Sequence, residues 1–117
     1  MMKRLQEWLD AMRERAGAPA RSPSEQAEAK RRARGLTLYY RLTCPFCIKV
    51  FITLRRLNVQ VERRNITTEA DARRELLAEG GRQMVPCLRI DEAGKTRWLY
   101  ESDDIIAYLE KRFRPGA

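Results

Sequence analysis

The chain has 117 residues, enough for one domain with a single core. It carries 24 Lys and Arg against 16 Asp and Glu, a net charge of +8, with three cysteines and no histidine. Without histidine, Cys-His and Ser-His-Asp nucleophile activation and every His-containing metal site are excluded. No apolar run of about eighteen residues is present to span a membrane.

Residues 1–35 carry nine basic and five acidic side chains, and residues 36–117 carry fifteen and eleven. Such a balance either attracts anions, nucleic acid among them, or forms a solvated arginine-rich surface. The second reading is preferred, because aromatic residues do not interleave with the basic ones as single-strand binders require. Lys3 and Arg4 precede no apolar segment, since Glu7 and Asp10 interrupt it, so a cleaved secretory signal is not expected. Three cysteines do not make a disulfide framework, which points to a reducing, cytoplasmic setting.

Residues 1–35 read as a helical extension to a domain over 36–117. Leu5, Trp8, Leu9 and Met12 recur at the spacing of an amphipathic helix. Ala16 to Pro23 breaks it. Ser22 or Ser24 then caps a second helix ending near Arg34, with high propensity but little apolar stripe. From Leu36 the elements alternate. A strand over about 36–41 leads into a helix over 45–57 with Val50, Phe51 and Leu54 on its apolar side. A second strand spans 59–66, and Thr68 caps a helix through Ala78 that stops at Gly80-Gly81. A strand over 87–90 turns through Asp91-Glu92-Ala93-Gly94 into a fourth over 96–100. A last helix runs from Ser102, a natural N-cap, to about Phe113. The order βαβαββα predicts an α/β fold. The first two strands should be parallel and the last two antiparallel, in a four-stranded mixed sheet covered by helices.

The most informative feature is Cys44-Pro45-Phe46-Cys47. Two thiols three residues apart share one helical face. Cys44 falls at the N-cap, with Pro45 at the first helical position. A sulfur there faces unpaired backbone N–H groups and the positive end of the helix dipole, which favour the reactive thiolate. This is the signature of a thioredoxin-like redox site. A zinc site would want four ligands, and only Cys87 remains. Cys87 reads as a small core residue.

Three motifs in this order make residues 36–113 resemble a glutaredoxin, and also the N-terminal domain of glutathione S-transferases. They are Cys44-Pro45-Phe46-Cys47, Met84-Val85-Pro86, and Glu101-Ser102-Asp103-Asp104-Ile105. The resemblance implies a thioredoxin-like fold and a glutathione-dependent thiol–disulfide oxidoreductase, with glutathione as co-substrate and no metal. Cys44 would be the nucleophile and Cys47 the resolving thiol. Pro86 would be a cis-proline exposing the backbone of Val85 to the ligand's cysteinyl portion. Glu101, Ser102 and Asp103 would meet its γ-glutamyl end, Arg41 and Gln83 its glycyl carboxylate, and Phe46 would border it. A chain ending at Ala117 has no room for the transferases' helical second domain, so conjugation to electrophiles is not expected. Partners would be glutathione and glutathionylated or disulfide-containing proteins, with no membrane or nucleic acid and a monomer in preference to a homodimer. Two rival readings are a dimer holding a [2Fe–2S] cluster through Cys44 and glutathione, and a redox adaptor whose basic N-terminal arm binds nucleic acid or an acidic partner.

Overall fold

The computed structural model describes residues 22–114. The amphipathic helix expected around Leu5, Trp8, Leu9 and Met12 lies outside them. Helix α1 (Pro23–Arg32) opens on a capping box: Ser22 Oγ accepts the Glu25 N–H at 3.2 Å, and Glu25 Oε1 accepts the Ser22 N–H at 3.3 Å. Ser22 is thus the cap, not Ser24. Its polar sequence is tolerated because only Ala29 and Ala33 turn inward, and small side chains let the helix lie close to the core.

Strand β1 (Leu36–Tyr40), helix α2 (Pro45–Leu57), strand β2 (Glu62–Asn65) and helix α3 (Ala70–Gly80) follow. Strand β3 (Cys87–Glu92), strand β4 (Lys95–Leu99) and helix α4 (Ser102–Arg112) complete the elements of the described residues. The sheet order is β2-β1-β3-β4, with β1 parallel to β2 and antiparallel to β3, and β3 antiparallel to β4. The expected α/β thioredoxin-like fold with a four-stranded mixed sheet is therefore the one observed.

Alternation along the central strands divides the core. Leu36, Leu38, Leu88 and Ile90 face α1, α2 and α4, where they meet Ala29, Val50, Leu54, Ile105, Leu109 and Phe113. Tyr39 and Cys87 point the other way, into a smaller cluster with Ile66, Ala72 and Leu76 under α3. The guanidiniums of Arg32 and Arg112 each reach the other's carbonyl oxygen, at 3.1 and 2.9 Å, and tie the last turns of α1 and α4 together.

Several boundaries move for local reasons. Strand β2 begins at Glu62, not Val59, because the Val59 N–H bonds to Leu54 O at 3.0 Å beyond the left-handed cap Asn58, keeping Val59 within the helix-ending motif. The cap of α3 is Glu69, not Thr68. The carbonyl of Asn65 accepts the N–H groups of both Thr68 and Glu69, so the turn continues one residue further. The hairpin turn narrows to Ala93-Gly94, both with positive φ (53° and 75°), as a two-residue turn matched to strand twist demands. Ser102 is the first helical residue of α4 and Glu101 is its cap.

Gly35 joins α1 to β1 at φ +81°, and a Cβ there would run into the Asp91 carbonyl oxygen. Gly94 has a similar φ of +75° but open space around it. Gly94→Ala should therefore lose only the backbone preference, about 1–2 kcal/mol, whereas Gly35→Ala should lose that and the clash. Urea denaturation should show the larger fall in midpoint for Gly35→Ala, and equal falls would contradict the close approach.

Candidate functional site

Strand β1 ends at Tyr40, and the chain turns through Arg41 to Thr43 before α2. The Cys44 N–H closes this turn on Arg41 O at 3.3 Å, and Cys44 O accepts the first helical N–H, from Ile48, at 3.2 Å. Cys44 thus occupies the N-cap in extended conformation, with Pro45 just inside the helix, as expected. No side-chain hydrogen bond caps this helix start.

Cys44 is partly exposed, and Cys47, one turn inward, is fully buried. Burial pushes the Cys47 thiol up to about 12, and the neighbouring Cys44 sulfur adds to the rise. The backbone and charge of Arg41 act in the opposite direction. The two thiols are therefore unequal by position. Cys87, buried beneath the sheet's other face, is also pushed up to about 12 by burial.

The second side of the site is the loop between α3 and β3. The Val85–Pro86 peptide is cis, as expected, and Cys44 Sγ donates to Val85 O at 3.7 Å. Pro86 is buried, Val85 half-buried, and Gln83 and Met84 face solvent. The third side is the start of α4. Glu101 and Asp103 are exposed and Ser102 is half-buried. Asp103 pairs with Lys49 Nζ at 3.5 Å, linking α4's first turn to α2. Lys49 also lies 6.0 Å from the centre of the exposed Phe46 ring. Arg41 is half-buried at the end of β1, and its Nε is buried without a hydrogen-bond partner. These contacts bring Arg41, Cys44, Cys47 and Val85 together and tie Asp103 to α2. No group of three or more Cys, Asp or Glu side chains among the described residues is placed to hold a metal ion.

Sequence reasoning missed Tyr100, which follows β4 and reads as one more strand residue. Its hydroxyl accepts the Arg82 N–H at 3.3 Å and donates to Arg82 O at 3.1 Å, while the Arg82 guanidinium lies 5.8 Å from its ring centre. Gly80 has no room for a Cβ against Tyr100 and the Trp98 ring. The start of the Gln83-Met84-Val85-Pro86 loop is thereby pinned from below. No local signal in the sequence marks this brace, because Gly80 and the Trp98 and Tyr100 rings lie far apart along the chain and meet only in the fold.

Residues 38–116 match the family model for the glutathione S-transferase N-terminal domain. No curated protein matches the chain significantly. Among solved structures, a trimeric glutathione transferase from Leishmania is 35% identical, with a TM-score of 0.56 over 73% of this chain and 18% of that one. A maleylacetoacetate isomerase from Anaeromyxobacter dehalogenans is 28% identical, with a TM-score of 0.51 over 70% of this chain and 37% of that one. A mutant of a thioredoxin-like protein is 26% identical, with a TM-score of 0.52 over 63% of this chain and 97% of that one. The chain thus spans well under half the length of the transferase and the isomerase.

Two outcomes test this geometry. Iodoacetamide at about pH 7.5 should label Cys44 and spare Cys47 in the folded chain. A thiol raised to about 12 holds its proton below that pH, and only the thiolate reacts. Peptide mass spectrometry reads the ratio, and equal labelling would contradict the burial of Cys47. Tyr100→Phe should speed hydrogen exchange at Arg82 to Val85 by about thirtyfold, the size of two lost hydrogen bonds of about 1 kcal/mol each, leaving the central strands unchanged.

Proposed function

The chain belongs to the glutathione S-transferase N-terminal domain family, and within it we propose a glutathione-dependent thiol–disulfide oxidoreductase of glutaredoxin type. The observation that carries this reading is the placement of Cys44: at a helix N-cap, partly exposed, with its sulfur 3.7 Å from Val85 O beside a cis-proline.

Glutathione would lie across the loop, its cysteinyl portion pairing with the Val85 backbone like an added strand. The N–H groups at the start of α4, with Ser102, would take its γ-glutamyl carboxylate. Glu101 would take its ammonium group, with Asp103 beside it. Arg41 and Gln83 would take the glycyl carboxylate. The partnerless Nε of Arg41 suits that role. Phe46 and Pro86 would border the ligand.

In the reaction, the Cys44 thiolate attacks the glutathione sulfur of a protein–glutathione disulfide. A Cys44–glutathione bond forms, the protein–glutathione bond breaks, and the protein leaves as a thiolate that takes a proton from water. A second glutathione thiolate then attacks the Cys44-bound glutathione, releasing glutathione disulfide and regenerating Cys44. With a protein disulfide as substrate, Cys47 displaces the product by attacking Cys44, and two glutathione molecules reduce the resulting Cys44–Cys47 bond. Burial and the raised Cys47 thiol favour release by glutathione at neutral pH.

Turnover of a glutathionylated peptide, coupled to glutathione reductase, tests the reading. Cys44→Ser should abolish it. Cys47→Ser should keep it within about twofold while losing reduction of protein disulfides, since only the second route needs two thiols. Activity retained in Cys44→Ser would remove the nucleophile assignment.

A further inference from the structure

Six large apolar side chains are markedly exposed among the described residues, and five belong to one side of the molecule. Leu42 (69%), Phe46 (57%) and Met84 (50%) belong to the segments that meet at Cys44. Ile48 (47%) and Ile52 (51%) continue from there, one helical turn apart along the outer face of α2. The same helix carries Lys49, Arg55 and Arg56, all exposed, and no acidic residue. Its inner face, from Cys47 through Val50 to Leu54, is spent on the core. The outer row is therefore surplus to folding.

We propose that this outer face of α2 docks an acidic, apolar-bearing segment of the protein substrate and presents its disulfide to Cys44. This rests on the redox reading above and names the substrate class for the same thiol. Apolar side chains of the segment would cover Ile48 and Ile52, and its carboxylates would meet Arg55 and Arg56. At 1.5 Å per residue, Arg56 lies about 18 Å along the axis from Cys44, the span of five or six extended residues. A lipid surface fits less well, because a bilayer laid on this row would also cover Cys44 and close it to glutathione.

The full chain is tested with a short leucine-glutamate peptide bearing one cysteine as its glutathione disulfide. Comparators are the same peptide with lysine for glutamate, and cysteine–glutathione disulfide as a small substrate. The acidic peptide should be turned over with kcat/KM about tenfold above the lysine peptide, an advantage that shrinks as salt rises from about 50 to about 300 mM. An Arg55→Gln/Arg56→Gln variant and, separately, Ile52→Asn should raise KM for the acidic peptide about five- to tenfold. The small substrate, which does not reach this face, should be unaffected. Equal turnover of the two peptides would overturn the proposal. If even the small substrate is not turned over, the redox reading fails instead. Anisotropy of a labelled, cysteine-free acidic peptide then reads the docking face alone, and binding unchanged in the variants would overturn it. Displacement of that peptide by a synthetic residue 1–21 peptide would assign the face to the chain's own N-terminus. A dimer by light scattering that dissociates in the variants would assign it to a second copy. Adsorption to phosphatidylserine vesicles that is lost in the variants, with peptide binding unchanged, would assign it to membrane. Each of those three results would overturn the proposal.

Discussion

Tyr39 stands opposite Cys87 in the antiparallel ladder between β1 and β3, and Leu36 stands opposite Ile90. This register places the end of β1 beside the start of β3. The turn that leaves β1 carries Cys44, and the loop that enters β3 carries Val85 and Pro86. Two segments about forty residues apart in sequence therefore meet at one end of the central strands, with the Cys44 sulfur 3.7 Å from the Val85 carbonyl. A slip of one residue would turn Leu38 and Leu88 away from the larger core cluster, so burial on that face holds the register and, through it, the site.

The two faces of the sheet are built by different means. The face under α1, α2 and α4 buries the larger apolar cluster, with the Arg63 and Arg97 guanidiniums over the rings of Phe51 and Tyr108 on its edge strands. The face under α3 combines a small apolar cluster with a charged rim. Arg64 pairs with Glu69 and Asp71, and Arg89 pairs with Glu75, Glu79 and Asp91. The Tyr39 hydroxyl bonds to Glu75 at the boundary, and burial raises its phenol above the ordinary range. Exposed ion pairs of this kind each contribute about 0–1 kcal/mol, so the rim adds mainly orientation. The acidic residues of α3 are engaged there, while on α2 Lys49 pairs with Asp103 and Arg55 and Arg56 face solvent.

The contrast between Cys44 and Cys47 follows from helix geometry combined with packing. Three residues along α2 turn the second thiol by most of a turn into full burial. One sulfur is left with partial solvent access and the helix's open end, and the other with neither. Tyr100 supports the opposite wall through the backbone of Arg82, and tight contact with Gly80 keeps that support close.

The strands, helices and their order were legible in the sequence because each follows from local periodicity and from Gly, Pro and capping residues. The thiol pair, its N-cap position and the loop with Pro86 were legible for the same reason. Boundaries were less so: Val59, Thr68 and Ser102 were each misjudged where backbone hydrogen bonds from a neighbouring turn outcompeted the local propensity. The inward role of Ala29 and Ala33 was not visible either, since alanine carries little hydrophobic signal and becomes a core residue only when a helix is brought close. The sequence by itself determined which residues have the chemistry, Cys44 and Cys47 above all, and which elements they begin. Only the tertiary structure decided that Val85 faces Cys44, that Cys47 is sealed, that Tyr100 braces the loop and that Ile48 and Ile52 remain uncovered. Those depend on contacts between segments distant in sequence, and such contacts are set by strand register and packing rather than by the identity of any one residue.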